Sequence, residues 1–480
     1  MQRRRYPWVS VLTLTAGVMV FLLISGHPSA QTPGQGAAVS GLTGSGSDEL
    51  APRLLSGPTG EVFRLWQRAG DFREGGGGVF LAMASPQHAW HTLLEILPQE
   101  KGVTFQDPDV AVGPSGELAV AYQWRRHDPR SKQIRLARSD DGGKTWTQSV
   151  TPVDSSGKAA TPKLAWGRGR SLLVVWPDER RHERSWDVYV RRSPDGGATW
   201  EPEQLLSRFP RQTIGDSYAR PEIISDDQNS FWIVWVTFRG QENRLYLSRS
   251  TDGGRTWVDP VDLSGPSPSL YGQRLVRSGA RLLFVWQDAR TGNNRIYAVN
   301  STDGGVTWTS PTRVDHLPAD VAKHAILPDV VMSPAGEVFV AWSDGRNGRD
   351  DVFVGRSIDG GRTWEKDDMR LDMDEPGTGV SRVPSIARAT DGRIAVAWDD
   401  DRAGYEGIYL RVRGTGEYPT WGPEVVVAPP PGPRKAARIP RLLWGRDGSL
   451  YVTWEIWDYA LGPLALTKRI DSRTLVLDKK

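Results

Sequence analysis

The chain of 480 residues has no cysteine, which excludes a disulfide framework, a thiolate metal site and a catalytic thiol. Its stability must come from packing. A charge excess is missing as well, once the first 30 residues are set apart. Those residues carry three arginines and no acid and account for the formal charge of +3, leaving 57 basic against 57 acidic residues. No basic footprint remains to attract a phosphate backbone, so no nucleic-acid partner is expected. Amphipathic helical periodicity is absent too, and so are a Gly-x-Ser-x-Gly elbow and an HExxH segment around His88 and His91. Neither a serine-hydrolase site nor a zinc-protease site is expected.

Glycine and proline are plentiful, at 52 and 34 residues, which suits a globular protein with many tight turns. At the start, Arg3, Arg4 and Arg5 precede an apolar run from Trp8 to Ile24 and a small-residue stretch ending at Ala30. That layout reads as a secretory signal over 1–30, with an uncleaved membrane anchor as the alternative. Either reading places the bulk of the chain outside the cytoplasm and limits membrane contact to this segment. Residues 31–49 are rich in Gly, Ser and Thr and read as a flexible linker.

Self-similarity organises the rest. Five segments share one pattern: Ser139–Trp146, Ser193–Trp200, Ser250–Trp257, Ser301–Trp308 and Ser357–Trp364, with starts 54, 57, 51 and 56 residues apart. A second pattern, an apolar run ending in an aromatic, keeps the same phase at Trp66, Tyr122, Trp176, Trp235, Trp286, Trp342, Trp398 and Trp454. That makes eight units. In the unit of Trp342, β-type runs are expected at 327–332, 337–342 and 351–356 and after Trp364, and the second run carries large side chains on both faces. Four short antiparallel strands in each repeated unit predict an all-β β-propeller of four-stranded antiparallel blades over 50–480. Eight blades are the first reading, and seven plus a divergent terminal piece the second. The first unit, from Pro52 to about Leu97, and the last, from Pro440 to about Leu477, each offer four strands. Ser85, Pro86 and Trp90 keep a trace of the turn pattern in the first unit, and Thr420-Trp421 does so in the seventh.

The repeated Ser-x-Asp-x-Gly-x-Thr-Trp pattern is the Asp-box, and by its five copies the chain resembles the sialidase-like (BNR/Asp-box) superfamily of propellers over nearly all its length. The motif is read as structural. Its Asp can accept hydrogen bonds from the backbone of its own turn, its glycines supply positive φ, and its Trp packs between sheets. Gly143-Lys144-Thr145 looks like the end of a phosphate loop, but Arg138 stands where the first glycine is required and no helix follows. The turns offer at most two adjacent acids, too few for calcium, so neither metal nor cofactor is expected. A further repeated element, Trp-x-Asp-x-Arg, pairs Asp178 with Arg180, Asp288 with Arg290, Asp344 with Arg346 and Asp400 with Arg402. Its recurrence points to an ion-pair brace.

The resemblance implies what an active member would need: an arginine triad for the sugar carboxylate, one arginine of it in an Arg-Ile-Pro segment, an Asp acid/base, and a Tyr nucleophile assisted by Glu. Arg382-Val383-Pro384 and Arg438-Ile439-Pro440 resemble that segment, and Arg220-Pro221 does so less well. No unit is complete. The unit of Arg382 has Asp400 and Arg402, but Glu406 and Gly407 where the acid/base is expected; the unit of Arg346 has Asp351 there but opens with Ile326-Leu327-Pro328. Tyr405, Tyr409 and Tyr418 lie near Arg402, and no spacing singles one out. The sequence therefore predicts an exported propeller that binds a glycan or an extracytoplasmic envelope protein at its central face, without full sialidase catalysis. Arg382, Arg402, Arg438, Asp400 and Tyr405 are the candidate ligand-binding residues. An exo-sialidase is the first alternative and a non-enzymatic assembly propeller the second.

Overall fold

The structure, a computed structural model, describes residues 49–68, 78–84, 94–97, 102–127, 130–148, 153–154, 157–181, 186–207, 221–237, 242–318, 323–416, 419–432, 434–458 and 462–470. The expected signal segment 1–30, the trace at Ser85, Pro86 and Trp90, the histidines His88 and His91, and the candidates Arg220 and Tyr418 lie outside the described residues. The first strand begins at Glu49, the last residue of the expected linker, whose other residues are not described.

No helix occurs among the described residues. Seven antiparallel sheets of four strands, each in plain sequence order, span 49–97, 103–148, 163–205, 222–262, 270–313, 325–370 and 381–428. An eighth sheet, 435–470, has three strands. The fourth strand expected in this last unit falls on residues outside the described ones. In the unit of Trp342 the strands are Ala325–Met332, Val338–Asp344, Asp351–Ser357 and Met369–Arg370. The second strand runs two residues past the expected end, so that Asp344 closes it.

Burial explains why the second strands are apolar on both faces: Leu172–Asp178, Val338–Asp344 and Ile394–Asp400 are buried at every position. Each sheet packs one face on the sheet before it and one on the sheet after it, as in the cluster that joins Leu283 and Val285 to Val338, Val340 and Trp342. One more cluster sets Val62 and Ala84 of the first sheet against Tyr451 of the last, and Arg446 donates a hydrogen bond to the Pro58 carbonyl beside it. First and last sheets thus meet, which closes the propeller ring. The first strands of successive sheets lie against one another, so they form the inner wall.

The Asp-boxes are turns between third and fourth strands. In the box of blade six, Ser357 Oγ donates to Asp359 Oδ1 at 2.8 Å, and that oxygen accepts the Thr363 amide at 2.9 Å. The Thr363 hydroxyl donates to Asp359 Oδ2 at 2.6 Å. Burial alone would raise this carboxyl, but the bonds from Thr363 and Ser357 hold it below its ordinary range. Gly361 has φ +88° and a Cβ there would come within 2.5 Å of Leu283 Cδ1 in the preceding blade, so glycine serves both the turn and the seam. Trp364 lies against the cluster of that same seam. Replacing Asp359 with Ala is expected to speed amide exchange at Thr363 by about tenfold or more while the global unfolding midpoint moves little. Hydrogen exchange read by mass spectrometry checks it, and unchanged exchange would contradict the assigned role.

Candidate functional site

Antiparallel order within a blade places the Asp-box turn and the first hairpin at one end of it. The loop between second and third strands and the link to the next blade lie at the other end. Arg382, Asp400, Arg402, Tyr405 and Arg438 all belong to this second end.

Asp400 and Arg402 are brought together. The Arg402 amide donates to Asp400 Oδ1 at 2.8 Å, and its Nε donates to Oδ2 at 2.9 Å. Nη1 reaches Glu424 at 2.8 Å, and the guanidinium lies 4.4 Å over the Tyr409 ring. Asp344 and Arg346 repeat the arrangement over Phe353 at 4.0 Å, Asp178 and Arg180 over Tyr189 at 4.4 Å, and Asp288 and Arg290 over Tyr297 at 4.7 Å. All four aspartates are fully buried. Burial would raise Asp400, but Arg402 outweighs it and keeps the carboxyl below its ordinary range. The element is therefore a brace that ties the end of the second strand to the loop after it. Tyr405 stands half-buried in that loop.

Arg382 and Arg438 meet different partners. Arg382 Nε donates to Asp350 Oδ2 at 2.5 Å, across the seam to the preceding blade, and Asp350 Oδ1 also holds His324 Nε2 at 2.8 Å. One blade on, Arg438 Nε lies 3.6 Å from Glu406, again across the seam, with the Trp457 ring 5.8 Å from its guanidinium. Both arginines precede a β-bulge. The bulged residues, Val383 and Ile439, have φ of 49° and 55°, which β-branched residues rarely adopt, and each stands before a proline. The Arg-x-Pro segments are thus strained bulges that set how each arginine leaves the inner wall.

Asp399 completes the group. It pairs in register with Arg382, is 1% exposed, and accepts the Ile439 amide at 3.0 Å. Burial pushes its carboxyl up to about 7, against the pull of Arg438 and the Ile439 amide, while Glu406 pushes the same way as burial. At this place, directly after the signature aromatic, blades one, two and five carry Gln67, Gln123 and Gln287, and Gln287 accepts the Leu327 amide at 2.9 Å. An amide suffices for the bond to the next blade, so the charge of Asp399 is additional. Sequence reasoning missed Asp399, Asp350 and His324, and it met Glu406 only as a departure from the family pattern. The available signal was an acid at a place in the apolar second strand where three blades carry Gln and three others carry Pro177, Val236 and Ser343.

Only one described group of carboxylates has metal-ligand spacing: Asp351, Asp372 and Asp374, with oxygens within 4.8 Å of one another. Arg370 stands among them, at 3.2, 2.9 and 2.6 Å, and supplies the positive charge there.

The chain matches the BNR repeat-like domain family over residues 61–290. It is 28% identical to a sialidase of Bacteroides fragilis over 37% of this chain and 37% of that protein, and 26% identical to a sialidase of Paraclostridium sordellii over 42% and 55%. The aligned part thus spans about a third to a half of these relatives. Among solved structures, an intramolecular trans-sialidase of Ruminococcus gnavus aligns over 90% of this chain and 96% of its own, at 14% identity and a TM-score of 0.40. With Asp-boxes at the outer turns of successive antiparallel blades and a family match that begins in the first of them, the chain belongs to the sialidase-like, BNR-repeat β-propeller superfamily.

Proposed function

We propose that this propeller binds an acidic glycan at the end of the ring opposite its Asp-boxes, with Arg382 and Arg438 as the anion contacts. The observation that carries this reading is the state of Arg438. The residue is only 9% exposed, and its buried Nε has no hydrogen-bond partner. A buried guanidinium whose Nε, 3.6 Å from Glu406, makes no hydrogen bond is incompletely satisfied, and an incoming carboxylate at its terminal nitrogens would add charge-assisted bonds. Tyr405 stands at the rim on the same loop as Glu406, and the Asp400–Arg402 brace holds that loop in place. A glycan array carrying sialylated and uronic-acid sugars tests the proposal. Arg382→Ala and Arg438→Ala are each expected to weaken the strongest hit by about tenfold or more. Binding of protein partners in place of any glycan, or retention by the double variant, would sink it.

A second reading, hydrolysis of a sialoside, draws on one specific feature: a carboxyl near pH 7, Asp399, beside a second carboxylate, Glu406. It predicts turnover of a fluorogenic sialoside that is lost on Arg382→Ala. For the chain as a whole, we read sheet 435–470 as an eighth blade, because it fills the seam between blade seven and blade one. We place the propeller outside the cytoplasm on the strength of the 1–30 segment.

A further inference from the structure

One position of the inner wall can be followed through every sheet: the first-strand residue that pairs with the residue before the signature aromatic. In the first four sheets it is Arg53, Asp109, Lys163 and Glu222, opposite Leu65, Ala121, Val175 and Val234. In the next two it is Arg274 and Asp329, opposite Val285 and Ala341. The signs alternate through all six, and among the described residues neighbours lie within 4.0 Å across four of the five seams, all but that between Glu222 and Arg274. Asp109 lies 4.0 Å from Arg53 and 3.7 Å from Lys163, Lys163 lies 3.6 Å from Glu222, and Arg274 lies 3.2 Å from Asp329.

The alternation then breaks. The seventh sheet has the uncharged Ser385 opposite Ala397, and the eighth has Arg441 opposite Thr453, next to Arg53 as the ring closes. No carboxylate lies within 4.0 Å of Arg441 among the described residues, and its Nη1 donates only to its own Pro440 carbonyl, at 3.0 Å. Burial pushes this guanidinium down to about 10, with Arg274 and Arg53 adding repulsion against the pull of Asp329 and Glu455. It remains a cation at neutral pH. At this register position four cations therefore stand against three acids, with Glu455 acting on Arg441 from the second strand of the same sheet, and the alternation breaks where Ser385 leaves a gap.

We propose that a small inorganic monoanion occupies the axis of the propeller against Arg441 and neutralises this ring. The chemistry asks for a single negative charge held by guanidinium donors from the inner wall. This site stands three residues further along the bulged strands than Arg382 and Arg438. It does not depend on the carbohydrate reading.

Chloride and bromide are the probes. Bromide introduced into crystals of the whole chain is expected to give an anomalous peak beside Arg441, and chloride-35 line broadening is expected to titrate to saturation in solution. Ser385→Asp supplies the missing carboxylate and is expected to weaken chloride binding by about tenfold or more without loss of fold, whereas Ser385→Ala leaves it unchanged. Arg441→Met is expected to abolish it, with circular dichroism verifying the fold. Absence of both signals in the parent protein, or full binding by Ser385→Asp, would overturn the assignment. A glycan-binding chain with no axial bromide would defeat this inference alone.

Discussion

Replacing Trp342 with Ala is expected to lower the unfolding free energy by about 3–5 kcal/mol, the range seen when a fully buried aromatic is cut back to a methyl group. Trp342 has no exposed surface, lies in the seam between the fifth and sixth blades, and stacks on Phe353 at 6.5 Å between ring centres. The site is poorly placed to collapse. On its own sheet Gly355 stands 3.1 Å from the indole, counted from where a Cβ would be, so the neighbour is already as small as a residue can be. The Trp342 Nε1 also donates to Asp344 Oδ2 at 3.2 Å, and the same oxygen holds Arg346, so part of the brace loosens with it. Guanidinium denaturation followed by tryptophan fluorescence measures the change, and a loss below about 1 kcal/mol would show that the seams do not carry the stability. Without any cysteine, nothing covalent can compensate.

Replacing Asp399 with Asn is expected to stabilise the protein above neutral pH and to do so less and less as the pH falls. The Asp399 carboxyl is raised from 3.8 to about 7 in the folded chain. Between those values the folded state holds a proton that the unfolded state has lost, so the contribution of Asp399 to stability is greatest below pH 3.8 and declines as the pH rises to about 7. Over that interval, at about 1.4 kcal/mol for each pH unit, the decline comes to about 4 kcal/mol. Asparagine keeps an acceptor for the Ile439 amide, as Gln287 does for Leu327, and carries no charge to bury. Asp372 is also raised to about 7, by burial and by Asp351, so the parent's own pH profile mixes two groups. The difference between variant and parent isolates Asp399. Denaturation midpoints of both proteins from pH 4 to pH 8 decide the matter, and a difference that stays flat across that range would remove Asp399 as a strained acid. Binding or turnover measured on the same variant then separates a functional charge from a merely costly one.

Much of the fold was legible because each blade spells out its own local structure. The alternation of Val338, Val340 and Trp342 marks a strand covered on both faces, and the structure buries that whole strand. The turn chemistry of Ser357, Asp359 and Thr363 is complete within seven residues. Recurrence likewise marked the Asp–Arg braces as structural, and in all four the arginine holds its Asp and lies over an aromatic ring of the third strand. The candidate site was legible only in part. Arg382 and Arg438 could be picked out by the proline two residues on, but their partners, Asp350 and Glu406, come from the preceding blade. Asp399 carries no motif, and its unusual state arises from burial and from Arg438 and Glu406 together.

By itself, then, the order of residues determined the strands, the outer turns, the repeat and the family. Those features follow from interactions between residues close along the chain, and every copy of the unit repeats them. Which charges face one another was decided only when separate blades came together. A bulge before each proline turns the inner strand by one residue, and the closing of the ring brings Arg441 beside Arg53 from the other end of the chain. Long-range electrostatic neighbours of this kind depend on register and closure, which no local pattern encodes.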